Sequence, residues 1–530
     1  DKATAAVLSN PGITTPQFQD IIAGFVYGMR DYHVSVSFIA TERARLHLLI
    51  MKAGDKYVIA RVDRSKLPYS EFPFMAGDEV VEFGGKPTAK AVQELAAALG
   101  GNTFETDLRL AELFLTNRRR SRGDVVPQGP VGLTIRDRRG KESRMELAWE
   151  YTPEQIPQNI PVRDAGLMTP DAPGRVQALN GLEDAPLYVP SAPKGLRATL
   201  GKFFADMAHP LKRVFADLKK ENVENPFMIG SRKSYVPALG EVLWESKKDS
   251  HFHAYIFKTA EGKKVGFVRI AAYDGGREEV EEFGRLMGRF QKETDSLVID
   301  QVNNPGGAVF YLYALASYLT DKPMPAPRHR MIVDESDAQW AVDFLKQAEE
   351  PGFAELAKLD PGDEWAGYPV TESFWQLMKT FARFILSELG EGRRLTGPTH
   401  LWGGDAVNPA PNARQRYTKP ILLLVNELDF SGGDFFPAIL QDNKRAKLMG
   451  VRTSGAGGAV KSFKLPNQFG MSDLSATWTI AGRPDGRPIE NLGVTPDIAY
   501  SLTQKDFRTG FAEYRLNILK ALKSLMGAAQ

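Results

Sequence analysis

The chain has 530 residues, a formal net charge of +2 and no cysteine. This length predicts two to four domains, and the balanced charge does not indicate a nucleic-acid or membrane-surface partner. The absence of cysteine excludes thiol catalysis, disulfides and cysteine-ligated metal sites. No run of about 18 apolar residues occurs, so we expect no membrane span. The chain starts with Asp1 rather than Met, which fits a removed signal peptide.

The first 45 residues are predicted to form a helical segment followed by one strand. Apolar residues recur at helical spacing over 18–31, and YHVSVSFIA then alternates polar and apolar residues like a strand, with His33 at its start. Residues 46–150 contain short strands, turns and a helix from about Thr88, which predicts a separate β-rich domain.

The middle of the chain changes composition twice. Residues 151–197 are rich in proline and lack long apolar periods, which predicts an extended segment or loop. Residues 198–245 are predicted to form a helical connection. From 246 to 505, helical patterns alternate with aliphatic strands such as SLVIDQV and ILLLVNEL, which is typical of an α/β domain with a covered sheet. Residues 506–530 predict an amphipathic C-terminal helix.

Ser431 lies in LLLVNELDFSGGDFFPAIL, immediately after a predicted buried strand and before a helix. Side chains at the carboxyl ends of such strands face the crevice where α/β proteins bind ligands, and the following helix offers free N–H groups. This position suits a nucleophile. The alternative is a helix cap, because Ser431 and Asp434 also fit a capping-box variant.

A second corner has the same form. VIDQVNNPGG ends a predicted strand at Gly306 and Gly307, whose amides could stabilise an oxyanion. A serine nucleophile also needs a base, and composition alone does not choose among His33, His47, His209, His251, His253, His329 and His400. His251 and His253 alternate on one strand, but without HExxH or an acidic cluster a packing or surface role is favoured over metal binding.

Four motifs together resemble the tail-specific, C-terminal processing and tricorn-type serine peptidases: VIDQVNNPGG, NELDFSGGDFFPAILQDNKRAKLMGVRTSGAGG, GRPIENLGVTPDI and, like the second half of a PDZ domain, MAGDEVVEFGGKPT. The resemblance implies an α/β fold with a Clp-protease/crotonase-like core. It also implies an inserted PDZ-like domain, with helical parts at both termini.

The resemblance also implies roles for individual residues. Ser431 is similar to the family nucleophile, His33 to a general base and Glu490 to the acid that orients it. The implied oxyanion hole consists of the amides of Gly432 and of Gly306 or Gly307. The sequence departs from the processing proteases at Ala456, where their catalytic lysine stands, so we expect a histidine base.

The function implied is that of a serine endopeptidase acting on protein or peptide substrates, without metal, cofactor, nucleic acid or membrane span. Export to the periplasm or exterior and a homodimer are further expectations. The proline-rich segment is a candidate inhibitory region of a zymogen, with a passive linker as the alternative. Two other functions stay open: a non-catalytic peptide-binding protein on the same fold, and a crotonase-like acyl-CoA enzyme that uses the Gly-Gly amides for an enolate.

Overall fold

We analysed the protein as a computed structural model. It describes residues 2–99, 102–156, 225–350, 364–365, 368–369, 372–463, 467 and 469–528. Most of the predicted proline-rich segment and much of the predicted helical connection therefore lie outside the described residues. Within the described part, no helix is long and apolar enough to cross a membrane.

The N-terminal part begins with two helices. A capping box at Thr14 and Gln17 starts the second of them, and its buried residues follow the helical period. A strand then leads away from it toward the core of the protein. The elements are α1 Lys2–Leu8, α2 Thr15–Tyr27 and β1 Ser35–Phe38.

The β-rich domain follows directly. Its strands and helices are β2 Arg43–Arg45, β3 Leu48–Ala53, β4 Lys56–Val62, β5 Glu79–Phe83, β6 Lys86–Pro87, α3 Thr88–Ala98, α4 Phe104–Leu115, β7 Asn117–Arg119, β8 Pro130–Arg136, β9 Glu142–Ala148 and β10 Glu150–Thr152. The main sheet has the order β3-β4-β5-β8-β9, with β6 paired to β5. Its own core joins Ile50, Ile59 and Ile135 to Val92 of α3 and Leu108 of α4.

The α/β core occupies the rest of the described chain. Its elements are β11 Glu241–Glu245, β12 Ala254–Lys258, β13 Lys264–Arg269, α5 Arg277–Glu293, β14 Ser296–Asp300, α6 Val309–Ser317, β15 Met324–Pro325, β16 Arg328–Met331, α7 Glu335–Glu349, β17 Glu364–Trp365, β18 Tyr368–Pro369, α8 Glu372–Gly390, β19 Thr399–His400, β20 Ala406–Val407, β21 Ile421–Val425, α9 Gly432–Asp442, β22 Lys447–Gly450, β23 Val460–Phe463, β24 Met471–Thr477, β25 Thr479–Gly482, β26 Ile498–Ala499, α10 Gln504–Thr509 and α11 Ala512–Ala528.

Seven strands form the central sheet, in the order β11-β12-β13-β14-β21-β22-β26. The pairs from β13 to β26 are parallel, and β11, β12 and β13 are antiparallel. Successive strand residues face opposite layers: Ile299 packs with α5, α6 and α9, whereas Val298 packs with α4 and α11. Both faces are covered, which explains the continuous aliphatic strands and confirms the predicted α/β class.

Strand β1 joins the N-terminal part to the core across a long sequence separation. It pairs antiparallel with β24, with Ser35 opposite Ser475. The Ser475 hydroxyl also donates to the His33 carbonyl at 2.6 Å. This pairing carries residues near position 33 to the edge of the core.

Helix α4 of the β-rich domain docks behind the central sheet. The Thr106 hydroxyl donates to the Glu427 carbonyl at 2.7 Å, and Arg109 donates to the side chains of both Glu427 and Glu112. On the other side, the Tyr32 hydroxyl donates to Asp107 at 2.7 Å. The two domains therefore share a buried polar contact.

We expect Arg109→Ala to destabilise the protein by about 3–5 kcal/mol, because it would leave two buried carboxylates without their cation. Glu112 and Glu427 are 1% and 6% exposed. The measurement is urea unfolding followed by tryptophan fluorescence. Arg136→Ala is the matched control, since its ion pairs with Glu79 and Glu142 lie at the surface and should contribute about 1 kcal/mol or less. Equal losses in the two variants would contradict the interpretation.

Candidate active site

The candidate site lies where strands β14 and β21 end. These strands are parallel neighbours, so their carboxyl ends meet at one edge of the sheet. The loops that follow are tied together: the Asn303 amide donates to Asn426 Oδ1 and the Asn304 amide donates to Asp429 Oδ1, both at 2.9 Å. The two Gly-Gly corners predicted from the sequence therefore belong to one buried polar network.

Ser431 has an unusual backbone conformation, with φ 54° and ψ −110°. Its side chain makes no capping hydrogen bond to helix α9. Asp434 turns away from it and accepts hydrogen bonds from the Thr453 and Ser454 hydroxyls and from the Gly455 amide. The helix-cap interpretation of Ser431 is therefore wrong, and the strained turn holds a half-buried hydroxyl at the end of β21.

We expect Ser431→Gly to be more stable than Ser431→Ala by about 1 kcal/mol. In Ser431→Ala, positive φ at a residue with a Cβ costs of order 1–3 kcal/mol of folding stability. Ser431→Gly avoids this strain but loses up to about 1 kcal/mol, because glycine has the greater conformational entropy in the unfolded state. Thermal unfolding of the two variants measures the difference. A less stable glycine variant would show that the turn is not strained.

Gly306, Gly307 and Gly432 pack directly around Ser431. A Cβ on Gly306 would lie 2.7 Å from the Ser431 Cβ, and a Cβ on Gly432 would lie 3.3 Å from the Gly307 nitrogen. The Gly306 amide is occupied, because it donates to Asn304 Oδ1 at 2.8 Å. Within the described residues, no hydrogen bond is recorded for the amides of Gly307 and Gly432. These two N–H groups are the ones left for a ligand.

His33 is buried, with 1% of its surface exposed. Its Nδ1 lies 3.9 Å from Oε2 of Glu490, so the structure brings these two predicted residues together from opposite ends of the chain. In the part of the chain that the structure describes, neither ring nitrogen has a hydrogen-bond partner. Burial lowers the pKa of His33 to about 4, and the nearby charge of Asp31 opposes this shift.

Glu490 is 7% exposed, and neither of its carboxylate oxygens is hydrogen bonded to a described residue. Burial raises its pKa to about 9, and the charges of Asp31 and Asp434 act in the same direction, while the backbone amides of Gly457 and Asn491 oppose the shift.

Asp31 is a residue that the sequence analysis missed. Its Oδ1 accepts the His33 amide hydrogen at 2.8 Å, and its Oδ2 accepts the Thr477 hydroxyl hydrogen. The available signal was an acidic residue two positions before a strand-borne histidine. Among the described residues, Asp31, His33 and Glu490 are the group whose donor atoms could hold a metal ion, within 4.8 Å of one another. Ligands of tetrahedral zinc lie only about 3.5 Å apart, so the group would have to contract.

The neighbouring lysines and histidines have other partners. Ala456, at the family lysine position, is fully buried. Lys461 pairs with Asp334 and Asp337 at 3.0 and 2.6 Å, while Lys464 lies outside the described residues. Other histidines also have partners of their own: His47 lies near Glu150, His251 near Glu279, His253 near Glu245 and His329 near Thr479.

A groove of about 920 Å³ lies beside β12 and β13, and its lining does not include Ser431 or the glycines around it. Ala271, Ala272 and Asp274 line it, and these residues flank Tyr273, whose carbonyl accepts the Ala308 amide hydrogen at 2.8 Å beside Gly307.

Comparisons with known proteins identify two domains in the chain. The model of the PDZ domain matches residues 42–156, and that of peptidase family S41 matches residues 264–500. A Chlamydia muridarum protein is 35% identical over 96% of this chain and 84% of its own length. A Chlamydia trachomatis serovar D protein is 33% identical over the same shares.

Solved protease structures are also similar to this chain. The crystal structure of mature CPAF matches with a TM-score of 0.80 and 30% identity, covering 99% of this chain and 91% of that chain. CPAF complexed with lactacystin matches with a TM-score of 0.79. Together with the site at the ends of β14 and β21, these similarities favour a protease over an acyl-CoA enzyme. The chain belongs to peptidase family S41 and is a serine protease that carries a PDZ domain.

Proposed function

We propose that the protein is an endopeptidase in which Ser431 is the nucleophile, His33 the general base and Glu490 the group that orients His33. The observation that carries the proposal is the strained Ser431 turn beside two free glycine amides. The 3.9 Å contact between His33 and Glu490 supports the assignment of the base. Catalytic hydrogen bonds are often long in a free enzyme and tighten when substrate binds.

In the proposed reaction, Ser431 Oγ attacks the carbonyl carbon of the scissile peptide bond while His33 takes the hydroxyl proton. The tetrahedral intermediate collapses, the C–N bond breaks, and His33 returns the proton to the leaving amine. Water then hydrolyses the acyl-enzyme through the same histidine. In this second half of the reaction, His33 takes a proton from the water and returns it to Ser431 Oγ, which restores the free enzyme.

The intermediate carries a negative oxygen that needs donors. We assign the amides of Gly307 and Gly432 to this oxyanion hole, because the Gly306 amide already donates to Asn304. Gly306 contributes by its missing side chain, since a Cβ there would lie within 2.7 Å of both Ser431 and Gly432. Removing one oxyanion donor typically costs about 10²–10³ in kcat.

A lysine base is not part of this mechanism. Lys461→Met should keep kcat within about threefold, because Lys461 is engaged with Asp334 and Asp337 rather than Ser431. It should also lower thermal stability, since Asp337 is buried and would lose its cation. Steady-state kinetics well below the melting temperature measures the first effect. Loss of most activity in a folded Lys461→Met variant would overturn the histidine assignment.

The proposal extends to regulation. Residues 151–197 connect the PDZ domain toward the peptidase core, and proline-rich chain tends to lie extended over a surface. We infer that this segment shields the Ser431 site in a zymogen and is cut on activation. Wild type should then yield fragments with new termini inside 151–197, while Ser431→Ala stays intact. If deletion of the segment changes neither the activity nor the lag before its onset, the segment is a passive linker.

Export and homodimer formation stay predictions from the sequence.

A fluorophosphonate probe tests the central assignment. It should label the wild type covalently, and mass spectrometry of tryptic peptides should place the adduct on Ser431. Ser431→Ala should show no labelling, and Ser317→Ala, a helix α6 serine bonded to the Ala314 carbonyl, is the matched control that should label normally. Labelling of a different residue would show that Ser431 is not the nucleophile. No labelling in a folded wild type would favour a non-catalytic peptide-binding protein.

A further inference from the structure

The groove of about 920 Å³ beside β12 and β13 has no part in the proposed reaction. Its walls are formed by the chain before β11, by the hairpin loop between β11 and β12, and by the chain after β13. His251 and His253, to which the sequence assigned a packing or surface role, lie in the hairpin wall. The groove is therefore a candidate binding site separate from the catalytic residues.

The groove carries an excess of positive charge. Its lining includes four exposed basic residues, which are Arg232, Lys233, Lys247 and Lys248. A fifth, Arg269, adds no excess charge, because it is 2% exposed and pairs with the buried Asp300 at 3.0 Å. This charge favours an anionic ligand over a cationic one.

Two of the three carboxylates in the lining already have partners. Glu245 lies 3.1 Å from His253, and Glu279 lies 3.2 Å from His251. Glu279 also accepts the Gly276 amide hydrogen at 2.9 Å, at the start of α5. The side chains of Lys247 and Lys248, in contrast, form no ion pair with a described residue. These two ammonium groups are the ones left for an anion.

The hairpin loop that carries the two lysines is held in place by hydrogen bonds. The Lys247 carbonyl accepts the Ser250 amide hydrogen at 3.1 Å, which closes a turn. The Ser246 hydroxyl donates to the Phe252 carbonyl at 2.9 Å. Arg232 donates to the Ser250 carbonyl at 2.8 Å and so joins the opposite wall to the loop. Cations on such an ordered turn lose less conformational freedom when a ligand binds.

Apolar side chains lie among the charged ones. Val242 on β11 is 44% exposed, and both Val242 and Ala238 line the groove. An extended polypeptide presents acidic and apolar side chains in alternation, which suits this mixed lining. A nucleic acid, charged at every phosphate, would place some phosphates against Glu245, Asp274 and Glu279. The lining therefore favours an acidic polypeptide over a nucleic acid.

One short stretch of chain borders both the groove and the catalytic site. Ala272 and Asp274 line the groove on either side of Tyr273. The Tyr273 amide donates to the Gly306 carbonyl, and its carbonyl accepts the Ala308 amide hydrogen, both at 2.8 Å. The groove is thus next to the proposed oxyanion hole along the chain.

We propose that this groove is an exosite that binds an acidic segment of the polypeptide substrate, away from the peptide bond that is cut. The proposal rests on the proposed endopeptidase function. Binding of the segment raises the effective concentration of the scissile bond at Ser431, so KM falls. The groove does not touch the reacting atoms, so it binds the ground state and the transition state equally and leaves kcat unchanged.

The first test measures binding without catalysis. A fluorescein-labelled peptide of glutamate, serine and leucine is titrated with Ser431→Ala protein, and fluorescence anisotropy gives Kd. Adding Lys247→Gln and Lys248→Gln together should weaken binding about 3- to 30-fold, because each exposed charge contributes modestly. The matched control adds Lys263→Gln and Lys264→Gln, an adjacent pair at the opposite end of the β12–β13 hairpin and outside the lining. It should leave Kd within about twofold.

The second test measures kinetics in a protein with Ser431 intact. The same acidic peptide is joined through a flexible glycine–serine linker to a quenched-fluorescence substrate, on either side of the cleaved sequence. Compared with a tail that has glutamine in place of glutamate, the acidic tail should lower KM about 3- to 30-fold and keep kcat within about twofold. Replacing Lys247 and Lys248 should remove most of this difference in KM, and added salt should reduce it.

Three results would overturn the exosite. The first is equal binding of the glutamate and glutamine peptides. The second is equal weakening by the two lysine pairs, which would show a response to net charge alone. The third is displacement of the peptide by a single-stranded oligonucleotide at equal charge concentration, which would assign the groove to nucleic acid. Failure of the endopeptidase assignment would appear instead as normal turnover in Ser431→Ala, with peptide binding unaffected.

Discussion

Ser431→Ala should reduce kcat by a factor on the order of 10⁴ or more. The variant loses the atom that forms the acyl-enzyme, and only binding and the glycine amides stay to stabilise a transition state. KM should change little, because the hydroxyl lies at the reacting centre rather than along the groove. Turnover of a quenched-fluorescence peptide under saturating substrate measures the loss.

Ser431→Ala should also keep the stability of the wild type. Losing a capping serine costs about 1 kcal/mol of stability, but the Ser431 side chain caps nothing. A folded variant with at least one hundredth of wild-type kcat would contradict the nucleophile assignment. Ser317→Ala, treated in parallel, controls for contaminating protease and for general effects of replacing a serine.

His33→Ala should lower kcat by a similar factor, because the proposed mechanism assigns to His33 the transfer of the Ser431 proton. Double replacement of Ser431 and His33 should cost little more than either change alone, since the two act as a unit. Additive losses in the double variant would show that His33 acts independently of the nucleophile.

The control for His33→Ala has to match its burial. His329 is 2% exposed, bonded to Thr479 at 3.0 Å, and its pKa is lowered to about 3 by burial. His329→Ala should therefore lose stability, as we also expect for the buried His33→Ala, but keep kcat within about tenfold. Comparable loss of kcat in the two variants, measured below both melting temperatures, would attribute the effect to packing.

The α/β class could be predicted from the sequence because its signals are local. Continuous aliphatic runs such as ILLLV and SLVID are typical of strands covered on both faces, and helical periods between them indicate parallel crossovers. The two Gly-Gly corners were visible for the same reason: each follows its strand within a few residues. Family motifs added candidate roles for Ser431, His33 and Glu490.

The sequence left Ser431 with two interpretations because a cap and a nucleophile use the same local pattern. Only the backbone angles and the partners of Asp434 separate them. The sequence also could not choose among the amides of the three glycines as oxyanion donors. The structure excludes the Gly306 amide, because it already donates a hydrogen bond to Asn304. Residues 157–224 lie outside the described part, so the predicted proline-rich segment stays a prediction.

By itself, then, the sequence determined the layered α/β core, the PDZ insertion and a serine at a strand end. The tertiary structure decided which groups surround that serine's base. Antiparallel pairing of β1 with β24 brings Asp31 and His33 to Thr477, and the loop after β25 places Glu490 within 3.9 Å of the ring. Such contacts join residues about 450 positions apart. Their ionisation depends on burial and neighbouring charge, which local sequence patterns do not encode.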